Sequence, residues 1–209
     1  MTLVHSKSRS NHEPAWDIAR LYPEQGQWEE GDYLVLTETT NKLVELCDGR
    51  IEVLSMPTTA HQRIVSFLNQ LLLLYLANNP IGEVLFAPLR VRLWEKTFRE
   101  PDVVFMLKKH ARRMGEDYWD GADLVMEVVS GSAEDRKRDL VTKRREYALA
   151  GIDEYWIVDP KESRITVLKR HGKKYLQLAE AQSGRRVTSS LLKGFGVDVD
   201  AVLGAAHAS

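Results

Sequence analysis

The sequence predicts an α/β domain with a mixed central sheet flanked by helices and an added N-terminal β-hairpin. Three observations lead there. The runs EVLFAPLRVRL, EPDVVFML, ADLVMEVVS and EYWIVDP are β-branched and too short for helices, so they read as strands. Two longer segments, HQRIVSFLNQLLLLYLANNP and EDRKRDLVTKRREYALAG, carry apolar residues at helical spacing and fall between those runs rather than after them. A chain of 209 residues, 44% hydrophobic and 28% charged, suits one globular core.

Taken in order, residues 1–25 mix Ser, His, Asn, Arg and Pro with neither period, which predicts a flexible N-terminal arm, and a single domain over 26–209. A short amphipathic stretch from Trp28 to Leu36 comes next. KLVELCDGRIEVLS alternates about Asp48-Gly49, a dipeptide suited to a tight hairpin turn. The first long helix starts near His61 and stops at Asn78, Asn79 and Pro80. The three apolar runs that follow are expected to share one sheet. The second helix opens on acidic residues, which suit the positive end of its dipole, and closes at Gly151. EYWIVDP is a further strand, ITVLKR and KKYLQLA pair about His171-Gly172, and the tail past Leu191 is a last strand or a capping loop.

The composition excludes several classes of function. A net charge of −1 removes any argument from bulk basicity, so a nucleic-acid footprint has to be local. The single cysteine, Cys47, can form neither an intrachain disulfide nor a thiolate zinc site, which points to a reducing, cytoplasmic setting. No N-terminal apolar h-region is present, and the apolar run Leu71 to Ala77 is too short to cross a bilayer, so no membrane partner is expected.

The chemistry centres on acids in apolar surroundings. Glu127 sits inside LVMEVV, where a buried carboxylate costs several kcal/mol unless a cation or hydrogen bonds compensate it. An inward Arg or Lys would satisfy it as well as a ligand would. Asp102 follows Pro101 at the mouth of a second strand; alone it reads as a turn cap, but two acids on neighbouring strands can converge on Mg²⁺ or Mn²⁺. On the second helix, Asp139, Lys143 and Tyr147 recur every four residues, which puts Lys143 on the inward seam near Leu140, with Lys137 as the other candidate lysine. His61 shares a stripe with Ile64, Val65 and Leu68, so its imidazole can reach a site or simply finish the helix N-terminus. Glu45 and Glu52 alternate along the hairpin, a pattern that usually faces water. Arg136, Lys137, Arg138, Lys143, Arg144 and Arg145 crowd one helix, with Arg90 and Arg92 on a strand; they form either a solvated face or a grip on phosphates.

EPDVVFM, LVMEVVSGSAEDR, the lysine-bearing helix and GIDEYWIVDP together resemble the Uma-two family of putative restriction endonucleases, within the PD-(D/E)XK nuclease superfamily. The likeness runs from about Tyr33 to Leu203. It implies a restriction endonuclease-like core and a metal-dependent endonuclease acting on DNA, with Asp102 and Glu127 as metal ligands and Mg²⁺ or Mn²⁺ as the ion. The superfamily's lysine two positions after the acid is replaced by Val129, and Lys143 matches the position to which this family moves it. A homodimer would suit cleavage of two antiparallel strands. A catalytically silent nucleic-acid- or partner-binding module on the same fold is the competing expectation.

Overall fold

The computed structural model describes residues 22–207. Thirteen strands and five α-helices are described, in two large sheets and one small one. The main sheet has six strands in the order β11-β10-β9-β8-β6-β3: Lys174–Gln182, Arg164–His171, Glu154–Asp159, Leu124–Val128, Val103–Leu107 and Gly82–Phe86. All its neighbours are antiparallel except β8 and β9. A parallel pair needs a crossover, and the second helix supplies it: α3 (Ala133–Lys137), a π-helical turn (Arg138–Thr142) and α4 (Lys143–Leu149).

Strand β8 is buried along its whole length because both faces are covered. Its side chains alternate between two cores. Leu124, Met126 and Val128 join Ile64, Val65, Leu68 and Leu72 of the long helix α2 (Thr59–Asn78), whereas Val125 packs with Tyr147, Ala148 and Tyr155 beneath α4. The fold is therefore a mixed sheet with helices on both faces, as expected.

The remaining architecture departs from the sequence reading in one apolar run and fills in what that reading left open elsewhere. EVLFAPLRVRL splits at Pro88, which has no N–H to give a ladder, so β3 joins the main sheet while β4 (Val91–Trp94) joins a second one. That second sheet has the order β2-β1-β5-β4-β7 and contains Arg50–Val53, Val44–Cys47, Thr97–Arg99, Val91–Trp94 and Trp119–Asp120. The N-terminal hairpin forms about Asp48 and Gly49, both at positive φ, but it is two-fifths of this sheet rather than a free ribbon. Residues 28–36 lead into a helix, α1 (Glu30–Thr39), which buries Tyr33 against Leu46 and Phe98. The tail forms a two-stranded sheet, β12 (Arg186–Thr188) with β13 (Gly196–Asp198), followed by α5 (Val199–Gly204), and it closes the core under α2.

Most of the arm expected over residues 1–25 lies outside the described residues. Of the part that is described, the Gln25 side chain bonds both backbone groups of Ile51 on the outer edge of β2.

Candidate active site

The strand register brings the two acids together. Val103 stands opposite Met126 and Val104 opposite Val125, so one further step places Asp102 across from Glu127 on the same face of the sheet. The Asp102 carboxylate fixes this corner by accepting the Val128 N–H at 2.7 Å on Oδ2. Both acids line one cavity of about 230 Å³, together with His61, Glu100, Arg138, Asp139 and Lys143.

Glu127 is held from the helix. The Lys143 ammonium donates to its Oε1 at 2.8 Å and the Tyr147 hydroxyl to the same oxygen at 2.6 Å. Lys143 also lies 3.2 Å from Glu45 Oε1 and 3.8 Å from Asp139 Oδ1. The four-residue spacing of Asp139, Lys143 and Tyr147 thus faces the sheet, and Lys143 is the lysine brought to the acids. Lys137 is exposed and does not line the cavity.

His61 arrives from the opposite layer, past the end of the sheet, with Nε2 3.2 Å from Asp102 Oδ2. Its backbone N–H is capped by Thr58, and its Nδ1 is buried without a partner. Asp102 Oδ2 therefore carries the Val128 and His61 contacts, and Glu127 Oε1 those of Lys143 and Tyr147. The other oxygens, Asp102 Oδ1 and Glu127 Oε2, take no hydrogen bond from any described residue.

Behind these groups lies a buried charge network that the sequence did not disclose. Arg99 is fully enclosed and bonds Glu45 at 2.7 Å, Glu52 at 2.6 Å and both oxygens of Glu146. Glu45, which alternation placed in water, is fully buried, while the side chain of Glu52 keeps 42% of its surface exposed. The only sequence signal for Glu45 was its place beside the apolar Val44 and Leu46; its burial comes from the second sheet folding against α4.

The cations of the second helix are divided. Arg136 forms a two-pronged pair with Asp159, and Arg138 pairs with Asp135 and lies 3.5 Å from Asp139, whereas Arg144 and Arg145 are exposed. Arg90 and Arg92 are occupied by Thr37 and Glu30.

The electrostatics follow from this crowding. Burial pushes the Glu127 carboxyl up to about 8, with Asp102 and Asp139 adding to the rise and Lys143 opposing it. Burial alone would lower Lys143, but the carboxylates of Glu127, Glu45 and Asp139 outweigh it and keep the ammonium protonated well above its ordinary range. Burial would raise Glu45, yet Lys143 and Arg99 pull it down to about 2. Burial and the nearby Glu45 raise Glu100 to about 7. Burial would lower His61, but its bond to Asp102 and the charges of Asp102 and Glu127 together outweigh that penalty and raise it.

Among the described residues, no group of three or more His, Cys, Asp or Glu side chains is arranged as a metal cage. The site nevertheless fits an ion that needs few protein ligands. Mg²⁺ keeps several waters and binds through one or two carboxylates, and Asp102 and Glu127 each present one oxygen free of protein hydrogen bonds. Four acids line the cavity against Lys143 and Arg138, and burial favours the protonated form of two of them, Glu127 and Glu100, so a cation entering the cavity would displace protons from the site.

The family Uma2, described as putative restriction endonuclease, matches residues 30–200. The chain belongs to the Uma2 family. The Uma2 match spans every residue of the cavity. A solved structure described as a putative nuclease belonging to DUF820, from Anabaena variabilis, superposes with a TM-score of 0.68 at 17% identity, covering 88% of this chain and 99% of that one. At that identity it shows the shared fold. No curated protein matches the sequence. Among the described residues no helix is long and apolar enough to cross a membrane.

Proposed function

We propose that this Uma2 chain is a divalent-metal-dependent endonuclease that hydrolyses phosphodiester bonds in DNA. One observation carries the reading: Asp102 and Glu127 stand opposite each other at the wall of a single cavity, with the Lys143 ammonium 2.8 Å from Glu127.

Asp102 and Glu127 are the residues that would hold Mg²⁺ or Mn²⁺. The bound ion supplies Lewis acidity toward a phosphoryl oxygen and lowers the pKa of a coordinated water. The protein's own part is positioning and charge. Val128 N–H and His61 fix the Asp102 carboxylate from one side, and Lys143 with Tyr147 fixes Glu127 from the other. Lys143 is the fixed positive charge nearest the acids, placed to offset the negative charge that builds on phosphate during hydrolysis. His61 lines the same cavity and acts there through its Nε2 contact with Asp102, which positions that carboxylate beside the attacking water. Lys137, Arg144 and Arg145 are exposed cations for the backbone of the strand.

The deciding experiment is nicking of supercoiled plasmid with and without Mg²⁺. Wild type should nick only with metal, and Asp102→Ala should lose the activity while keeping its circular dichroism spectrum. Equal Mg²⁺-dependent nicking by both proteins overturns the assignment.

A second reading, a nucleic-acid- or partner-binding module without catalysis, draws on Val129 in place of the strand lysine and on the three carboxylates already engaging Lys143. Mn²⁺ titration separates the two, because binding that disappears in Glu127→Ala favours the enzyme. With this reading we also propose a cytoplasmic homodimer; light scattering at working concentration tests the assembly.

A further inference from the structure

We propose that the end of the main sheet remote from Asp102 and Glu127 is a second nucleic-acid contact that takes the phosphate backbone of a duplex, an inference that rests on the nuclease reading. Asp102 precedes β6, whereas Lys108, Lys109 and Arg112 follow its other end in a 3₁₀-helical segment, Lys108–Arg113. Six residues of extended chain separate Asp102 from Lys108 by roughly 20 Å.

The hydrogen bonds tie a second basic group to the same end. Leu107 N–H donates to Asp123, just before β8; Asp153 N–H donates to the Asp123 carbonyl; and Arg170 N–H donates to the Asp153 carbonyl. The β10–β11 turn therefore brings Lys169, Lys173 and Lys174 beside the 3₁₀ segment, with β8 and β9 between them. Three strand spacings put the two groups roughly 14 Å apart, comparable to the ~12 Å width of the duplex major groove.

These cations are available to a ligand. All six are exposed, and none forms an ion pair with a described residue. The two cations that line the cavity, Arg138 and Lys143, are by contrast both engaged by carboxylates. The acids at the remote end are partly spoken for: Asp123 by His110, Asp153 by Arg170 and Asp120 by Arg92, which leaves Glu83 at the start of β3 and Glu116 and Asp117 on the following loop, three acids against six cations. In a chain of net charge −1, this is a local excess of positive charge that the fold itself does not use.

The test measures anisotropy of a labelled duplex of roughly 30 base pairs, long enough at 3.4 Å per step to span the sheet, in EDTA so that no cleavage intervenes. Wild type should bind. Lys108→Gln/Lys109→Gln/Arg112→Gln and Lys169→Gln/Lys173→Gln/Lys174→Gln should each weaken binding about tenfold or more, and the slope of log affinity against log salt should fall by about 0.9 for each phosphate no longer neutralised. Lys42→Gln/Arg185→Gln/Lys193→Gln removes the same charge elsewhere and should change neither quantity. Equal losses in all three variants, or no duplex binding by wild type, overturns the proposal. So does an outcome in which the two remote variants lose binding to phosphatidylserine vesicles but not to the duplex. Duplex binding that follows this pattern without any Mg²⁺-dependent nicking supports the surface and counts against the catalytic reading alone.

Discussion

Lys143 keeps its proton in a place where burial alone would remove it, because Glu127, Glu45 and Asp139 surround it. Such a residue is structural as well as chemical. Replacing it with Met strands three carboxylates and should cost about 3 kcal/mol or more of stability in urea unfolding. Adding Glu127→Gln should recover part of that loss; strictly additive effects would show that the pair is not coupled. Glu45 gives a pH test. Its carboxyl lies near 2 in the folded protein, below the ordinary 4.5, so its contribution is complete above about pH 4.5 and disappears as the pH falls toward 2. Glu45→Gln should therefore flatten the acid limb of a stability profile over that window, and an unchanged limb would refute the assignment. Of these residues, Glu127 was legible in the sequence because an acid among valines is a chemical anomaly. Glu45 was not, since alternation in a hairpin does not say which face another sheet will cover.

At the scale of elements, the second helix is interrupted by a π turn over Arg138–Thr142, which itself carries Asp139 and precedes the segment that presents Lys143 and Tyr147. A π turn holds one residue more than an α turn, so it rotates the two halves relative to each other by about 100° compared with a regular helix. Deleting Val141, an exposed residue inside the turn, should leave the helical circular dichroism nearly unchanged while Mg²⁺-dependent nicking is lost. Full activity in that deletion would mean that the turn has no part in aiming these side chains. Periodicity located the helix and its inward seam, but a π turn shifts phase too locally for a periodic pattern to reveal. The Asp48-Gly49 turn is the opposite case. Its chemistry is local, and Gly49 at φ +73, where a Cβ would sit 2.8 Å from the Gly26 carbonyl oxygen, is where Gly49→Ala should cost about 1 kcal/mol or more in thermal or urea unfolding.

For the whole molecule, the excess of acids around the cavity predicts linkage between metal and stability. Mn²⁺ at about a hundred times its dissociation constant should add about 2.7 kcal/mol to the folded state, read as a rise in the thermal midpoint. Asp102→Ala should show no such rise; an equal rise in that variant would place the ion elsewhere. Two large sheets meet at this site: the six-stranded one supplies Asp102 and Glu127, and the five-stranded one brings Glu45 and Arg99 up behind Lys143. The cavity thus lies where the sheets and the crossover helix converge, a common place for function on an α/β scaffold.

The amino-acid order by itself determined the features whose causes lie within a few residues. These are the hairpin turn, the two long helices and their inward faces, the strand-like runs, and the improbable acid within LVMEVV. Tertiary structure alone decided which runs pair. β3 and β4, neighbours in one apolar stretch, went to different sheets, because β-branched chemistry favours extended backbone without naming a partner. The same long-range pairing set Asp102 across from Glu127 and enclosed Arg99 among three glutamates, since the distance between charges far apart in sequence is a property of the folded chain.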